Sequence, residues 1–428
     1  MDENKFKGFD TQSIHYGHTH GDGSGACAVP IYQTNAYEFE STEQAADLFA
    51  LRKDGHMYTR LSNPTTEVLE KRIAALDNGV GAVAFASGHA ALAAVFLTLC
   101  SAGDEIVASR NIYGGAISLL GNTLKRLGIT VKFINPDSLS ELKESITEKT
   151  KAVFYELIGN PNANVCDVEG IARIAHERHT PVIIDSTFNT PYLCKPVDFG
   201  ADIVVHSATK FLGGHGSTMC GIVVDSGNFT WENNPKFPEF NTPDQGYHGV
   251  VYAKDFGKAA FSAKLRTQAL RDYGACVAPI SSFLILQGIE TLSLRMRKHC
   301  ENAQAVAEYL SKHQEVSFVN YPGLATDKYY LLSQKYLPKG AGSIFTFGLK
   351  GGKERGRRFI ESLSLFTHCA NVADSRSLVT HPASTTHSQL SAEQLISSGI
   401  NEETIRISIG VEYIGDILTD LEDAINAC

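Results

Sequence analysis

The stretch Asp202-Ile-Val-Val-His-Ser207-Ala-Thr209-Lys210 runs an apolar segment into two hydroxyls and an amine. An amine partly desolvated at a strand end titrates below its ordinary range. Lys210 is therefore a candidate nucleophile able to form a Schiff base with an aldehyde, with Ser207 and Thr209 able to donate to an anion beside it. A second apolar run, Pro181-Val-Ile-Ile-Asp185, ends in a carboxylate. Amine, carboxylate and hydroxyls together are what pyridoxal phosphate asks of a protein: one group for its aldehyde, one for its ring nitrogen, the rest for its phosphate. Taken alone, Ser-x-Thr-Lys reads more simply as a surface lysine after a core strand.

Other residues extend the same chemistry. Ser87-Gly88-His89 follows an apolar run and opens a helical stretch over residues 90–99, so free backbone amides and the helix dipole would face an anion there, and glycine lets the backbone approach closely. Asp185 beside a pyridine nitrogen would keep it protonated and make the ring an electron sink. Arg406 lies inside the apolar run Ile405-Arg-Ile-Ser-Ile, where an unpaired charge is costly, so it needs either a structural ion pair or an anionic ligand. The histidines at 15, 18 and 20, at 176 and 179, and at 381 and 387 are not combined with cysteine or carboxylate at zinc-motif spacing, so no metal is expected. Gly213-Gly-His-Gly216 lacks the Gly-Lys-Ser/Thr ending of a phosphate-binding loop.

Six motifs occur in an order that resembles the pyridoxal-phosphate enzymes of cysteine and methionine metabolism. They are Tyr58-Thr-Arg60-Leu-Ser-Asn-Pro64-Thr, Ser87-Gly88-His89-Ala-Ala, Tyr113-Gly-Gly, Gly159-Asn160-Pro161, Asp185-Ser-Thr-Phe-Asn-Thr-Pro191 and Thr404-Ile-Arg406-Ile-Ser-Ile-Gly-Val-Glu412. The run Val379-Thr-His381-Pro-Ala-Ser-Thr-Thr-His387-Ser-Gln-Leu390, and a segment from Phe237-Pro-Glu-Phe to Tyr247-His-Gly-Val, resemble the branch that acts on O-acetylhomoserine with sulfide. The resemblance implies that Tyr113 stacks on the cofactor ring and takes part in proton transfer. It also implies that Tyr58 and Arg60 reach the phosphate of a neighbouring subunit, and that Arg406, helped by Asn160 and Asn371, clamps the substrate's α-carboxylate. Arginine suits both anions through its planar fork. Three positions depart from the family's usual pattern: His89, Ser186 where asparagine is commoner, and Asn371 where the related lyases have serine.

The implied reaction is γ-replacement: O-acetyl-L-homoserine and sulfide, or methanethiol, give L-homocysteine, or methionine, and acetate. Lys210 carries the cofactor and then moves protons. The alternatives are a methionine or cystathionine γ-lyase and a silent cofactor-binding protein, the latter opposed by the intact set of Lys210, Tyr113 and Arg406. A homotetramer built from dimers with shared sites is implied as well.

The elements that must position these residues follow from the apolar patterning. Residues 82–86, 105–108, 130–134, 151–156, 181–185, 202–206 and 221–225 are strand candidates, mostly separated by stretches able to form helices. Such alternation predicts an α/β fold with a mostly parallel central sheet and helices on both faces, as in the fold-type I enzymes of the resembled family. Ligands on such sheets sit past the carboxyl ends of the strands, where Ser87, Asp185 and Lys210 fall. Residues 1–60 are expected as an extended arm contacting a neighbouring subunit. Residues 61–275 are expected as the cofactor-binding domain, with a loop insertion over 228–262, and 276–428 as a smaller α+β domain. Within the last, residues 277–310 read as one or two helices, 343–349 and 404–409 as strands, and 414–427 as a helix.

Of 428 residues, 43% are hydrophobic and 20% charged, ample for more than one core, and the net charge of -9 without a basic run argues against nucleic acid. Nine cysteines without a Cys-x-x-Cys pair read as reduced, and no leader or membrane span is apparent, so a cytoplasmic enzyme is expected.

Overall fold

The structure is a computed structural model that describes residues 5–18, 25–385 and 401–428. Seven strands, β1 (Gly81–Phe85), β2 (Glu105–Ser109), β3 (Thr130–Ile134), β4 (Thr150–Glu156), β5 (Val182–Asp185), β6 (Ile203–Ser207) and β7 (Gly221–Asp225), form one sheet in the order β1-β7-β6-β5-β4-β2-β3. Strand β7 is antiparallel to both of its neighbours, so the other six run the same way. The inner strands read as continuous apolar runs because both faces are covered, whereas the edge strand β3 is largely half-buried. Val182, Ile184 and Val204 join one core, while Ile183, Ile203 and Val205 join the other, as alternation along a strand requires.

Helix α3 (Pro64–Leu76) brings Leu69, Ile73 and Leu76 to the first core, and α4 (Gly88–Leu99) brings Leu92, Val95 and Phe96 to the second. Asn63 caps α3, with Pro64 in its first turn, and the Ser87 hydroxyl caps α4 by accepting from Ala90 N–H at 3.1 Å. The α4 cap falls at the carboxyl end of β1, so the helix opens toward the end of the sheet where ligands are expected.

The second sheet has five strands, β8 (Val316–Asn320), β9 (Ile344–Leu349), β10 (Thr367–His368), β11 (Leu378–Thr380) and β12 (Thr404–Ser408), in the order β10-β11-β12-β9-β8. Only β10 and β11 pair in parallel. Two helices, Pro279–Glu290 and Leu292–Lys312, lead into it, and Ile414–Ala427 closes the chain. Among the described residues no helix is long and apolar enough to cross a membrane.

Two segments differ from their sequence reading. The N-terminal region is not uniformly extended, since it holds helices α1 (Phe9–His15) and α2 (Thr42–Phe49), the latter capped by Ser41 accepting from Gln44 N–H at 3.0 Å. Helices of seven and eight residues are too short to set up a clear apolar period. The segment read as a loop over 228–262 contains the short helices Pro238–Asn241 and Tyr252–Phe256 and an aromatic core of its own. Trp231 stacks on Phe240 at 4.3 Å and on Phe261 at 5.6 Å, with Phe237 edge-on at 5.1 Å. Ring pairs of this kind contribute about 0.5 to 1.5 kcal/mol each beyond burial, so the segment is held by packing that has no sequence period.

Candidate active site

Past the carboxyl ends of β1, β2, β4, β5 and β6 lies a cavity of about 600 Å³. Eleven of the residues singled out from the sequence line it: Ser87, Gly88, His89, Tyr113, Asn160, Asp185, Ser207, Thr209, Lys210, Asn371 and Arg406. Tyr58 and Arg60 do not. They line a separate open groove with Gln33, Asn35 and Cys276; the Arg60 guanidinium lies 5.5 Å from the Tyr58 ring and donates through Nη1 to the Arg271 carbonyl at 2.5 Å.

Lys210 stands one short turn beyond β6, its backbone N–H donating to the Ser207 carbonyl at 3.1 Å. The turn is pinned at Thr209, whose hydroxyl accepts from Cys220 N–H at 3.1 Å. The Lys210 amine donates to Asn371 Oδ1 at 2.5 Å. Burial pushes this amine below its ordinary range, and the charge of Arg406 pushes it further in the same direction. A larger fraction is therefore neutral and nucleophilic near neutral pH.

Asp185 ends β5 and Glu156 ends β4, and the two are Cα partners in neighbouring parallel strands. Burial raises the titration of both carboxyls, and in Glu156 the charge of Asp185 adds to it. Thr187 joins the ends of β5 and β6: its N–H donates to Asp185 Oδ1 at 2.9 Å and its hydroxyl accepts from Ser207 N–H at 2.8 Å.

At the other end of the cavity, the N–H groups of Gly88 and His89 open α4 without intrahelical acceptors. Gly88 is required there by space, because a Cβ would come within 2.6 Å of Ser207 Cβ and push the helix away from β6. The Ser87, Ser207 and Thr209 hydroxyls border the same cavity. The His89 imidazole turns sideways, donating through Nε2 to the Gly115 carbonyl at 3.1 Å and meeting the Tyr113 ring edge-on at 5.7 Å.

Arg406 sits mid-strand on β12, with Thr380 and Thr346 as its Cα partners, and is 4% exposed. Its guanidinium donates to Asn160 Oδ1 at 3.1 Å and to the Asn371 carbonyl at 3.4 Å. No carboxylate among the described residues pairs with it within 4.0 Å, so the structural ion pair is not found. Desolvating a charge costs several kcal/mol, and two neutral acceptors at about 1.5 to 3 kcal/mol each offset this only in part. Burial lowers its titration to about 10. The cavity thus holds a deeply placed cation that an anionic ligand would neutralise.

Glu156 and Thr187 were not singled out from the sequence, although Ala-Val-Phe-Tyr-Glu156 is the same apolar-run-to-carboxylate signal as Val-Ile-Ile-Asp185. Of the run from Val379 to Leu390, His381 is fixed by Ser384 Oγ at 2.8 Å and the Glu402 carbonyl at 2.7 Å, and Thr385 reaches the cavity. Residues 386–390, with His387, lie outside the described residues, as does His20.

The family profile of the Cys/Met metabolism PLP-dependent enzymes matches residues 10–426. This chain belongs to that family. Its relatives in the family include a homocysteine synthase of Schizosaccharomyces pombe, 48% identical over 97% of this chain and 98% of that protein. An O-acetyl-L-homoserine sulfhydrylase of Leptospira meyeri is 46% identical over 97% of this chain and 96% of that protein. Among solved structures of the family, the crystal structure of an O-acetylhomoserine (thiol)-lyase from Campylobacter jejuni superposes with a TM-score of 0.95 at 40% identity, covering 97% of this chain and 99% of that one. That crystal structure holds a pyridoxyl-lysine monophosphate at its own position 205. The seven-stranded sheet with helices on both faces and the second, smaller sheet are thus the family's fold.

Proposed function

We propose that this chain is a pyridoxal-phosphate-dependent γ-replacement enzyme. It converts O-acetyl-L-homoserine and sulfide, or a small thiol such as methanethiol, to L-homocysteine, or methionine, and acetate. The relatives that carry this activity in their names match nearly the full chain, at 46% and 48% identity. The observation that carries the reading at the level of the site is the placement of an amine, a strand-end carboxyl and a buried guanidinium that has no carboxylate partner among the described residues around a single cavity: Lys210, Asp185 and Arg406.

The residues fit the cofactor. The α4 amides, the close approach that Gly88 permits, and the hydroxyls of Ser87, Ser207 and Thr209 suit a phosphate. Asp185, raised by burial, gains most from a cationic ring N–H, Tyr113 flanks the ring, and Lys210 is the amine for the aldehyde. When bound, the cofactor supplies an electron sink for negative charge at the substrate's α-carbon.

The chain's own residues do the rest. Arg406, aligned by Asn160 and the Asn371 carbonyl, binds the α-carboxylate and fixes the amino acid's orientation. Once displaced by the substrate amine, Lys210 Nζ removes the α-proton, and its lowered titration suits a base near neutral pH. Asn371 Oδ1 gives that amine a defined resting place. Removal of a β-proton lets acetate leave from the γ-carbon, hydrosulfide or the thiolate adds there, a proton goes back to the β-carbon, and Lys210 returns one to the α-carbon.

The same reading divides the chain into an arm, 1–60, a cofactor-binding domain, 61–275, and a small domain, 276–428. It makes the protein a homotetramer of dimers in which Tyr58 and Arg60 complete a neighbour's phosphate site. Support for sharing comes from their position outside their own chain's cavity, in an open groove. Nine free cysteines support a reducing, cytoplasmic setting.

The test is a product assay with O-acetyl-L-homoserine. Homocysteine formed with sulfide much faster than 2-oxobutyrate accumulates without it is the expected result. Dominant 2-oxobutyrate would make the protein a γ-lyase instead.

A further inference from the structure

Glu156 ends β4 as a carboxylate buried in the cavity wall. Each of its oxygens holds a different loop. Oε1 accepts from the backbone N–H of Tyr113 at 2.7 Å, and Oε2 accepts from the backbone N–H of Asn160 at 3.0 Å. Tyr113 closes the turn after β2 as the N-cap of the helix Gly114–Ser118, whereas Asn160 lies in the turn after β4. One side chain therefore ties together the ends of two neighbouring strands.

The connection continues. Asn160 Oδ1 accepts from Arg406 Nη1, Arg406 Nη2 donates to the Asn371 carbonyl, and Asn371 Oδ1 accepts from Lys210 Nζ. An unbroken series of contacts thus runs from Tyr113 through Glu156, Asn160, Arg406 and Asn371 to Lys210. Glu156 is the member that joins the loop beside the ring to the residues that hold the substrate. Both Glu156 oxygens are thus satisfied by backbone donors, and neither Tyr113 nor Asn160 lies in a strand ladder that would fix it.

We infer that Glu156 is a positioning residue for the reaction, a two-sided clasp that sets the Tyr113 ring and the Asn160–Arg406 clamp in register with one another. This rests on the reading of the cavity as the cofactor and substrate site. Its neighbour in register, Asp185, makes the same position sensitive to charge, because two buried carboxyls on adjacent strands disfavour each other's ionised forms.

The decisive variant is Glu156→Gln, which keeps size and one acceptor oxygen but turns an amide donor toward one of the two N–H groups. It should still bind pyridoxal phosphate, with a changed visible circular dichroism of the bound cofactor. Per bound cofactor, kcat should fall at least about tenfold and KM for O-acetyl-L-homoserine should rise several-fold, since both the ring side and the clamp side lose register. A merely structural role predicts otherwise: the fraction that folds and binds cofactor would show wild-type dichroism, kcat and KM, and that result overturns the inference. Absence of a cofactor band in the wild type would overturn the site reading, and this inference with it. Should the variant not fold, residue-resolved hydrogen exchange of the wild-type holoenzyme decides. Slow exchange at the Tyr113 and Asn160 amides is expected, and exchange at either as fast as in open loop positions contradicts the clasp.

Discussion

On the seven-stranded sheet, most residues that face the cavity stand just beyond a strand or at its last position, whereas on the five-stranded sheet Arg406 stands in the middle of β12 with a strand on either side. The two placements have different consequences. Past a strand end the backbone leaves the ladder, so Lys210, Tyr113 and Asn160 are held by turn and side-chain bonds rather than by strand pairing, and changing one should alter chemistry more than stability. Inside the ladder the Arg406 backbone is fixed on both sides, but its charge is buried with only neutral partners among the described residues, so the fold bears a cost for holding it. One sheet supplies adjustable chemistry, and the other supplies a rigid, unneutralised cation.

The largest effect that sharpens this contrast is expected at Lys210. Lys210→Ala should lower kcat by about 10²- to 10⁴-fold, the scale of removing a general acid and base, while the thermal midpoint of the protein without cofactor stays within a few degrees of wild type. A large drop in that midpoint would mean that the strand-end lysine is structural.

Arg406→Met should behave in the opposite way on stability. It should cost roughly 2 to 5 kcal/mol in kcat/KM for O-acetyl-L-homoserine, the scale for breaking a desolvated charge pair, yet leave the cofactor-free protein as stable as wild type or more stable, because an uncompensated charge is replaced by an apolar chain. Marked destabilisation together with near-normal kinetics would return Arg406 to a structural role.

A third region, the groove of Tyr58 and Arg60, belongs to neither placement. Arg60→Ala and Lys210→Ala proteins should each be impaired, yet a refolded mixture should regain activity, since one site in each mixed dimer draws intact Arg60 and intact Lys210 from different chains. Co-purification of two tags establishes subunit exchange. With exchange shown and no recovery, shared sites are wrong.

The smallest effect couples the two sheets electrostatically. Arg406 lowers the titration of Lys210, so removing its charge lets the amine keep its proton to higher pH. The rate at which cofactor-free protein recombines with pyridoxal phosphate follows the neutral amine. Its half-maximal pH should therefore move upward in Arg406→Met, and an unchanged or lower value would show that the charge is not felt at Lys210.

The contrast between the sheets also governs how much was legible beforehand. Strands buried on both faces appear as apolar runs, and all seven of the first sheet lie within a residue or so of where those runs fall. Asp185 and Lys210 were legible because a polar group closing an apolar run stands out. Glu156 carries the same signal but lies in no motif that sets it apart from other strand-end carboxyls. The helices Phe9–His15 and Thr42–Phe49 were missed because seven or eight residues give too few turns for a period to emerge. The insertion looked like a loop because Trp231, Phe237, Phe240 and Phe261 pack by ring shape rather than by strand or helix repeat. Arg406 was legible as a charge that needed a partner, but the absence of a carboxylate beside it depends on contacts from distant segments, which no local pattern records.

Covalent mapping of the cofactor tests the central claim most directly. The protein reconstituted with pyridoxal phosphate should show a visible band that borohydride abolishes, and peptide mapping of the reduced protein should find the pyridoxyl group on Lys210 alone. A colourless reconstituted protein, or stoichiometric labelling of a different lysine with Lys210 unmodified, would contradict the account.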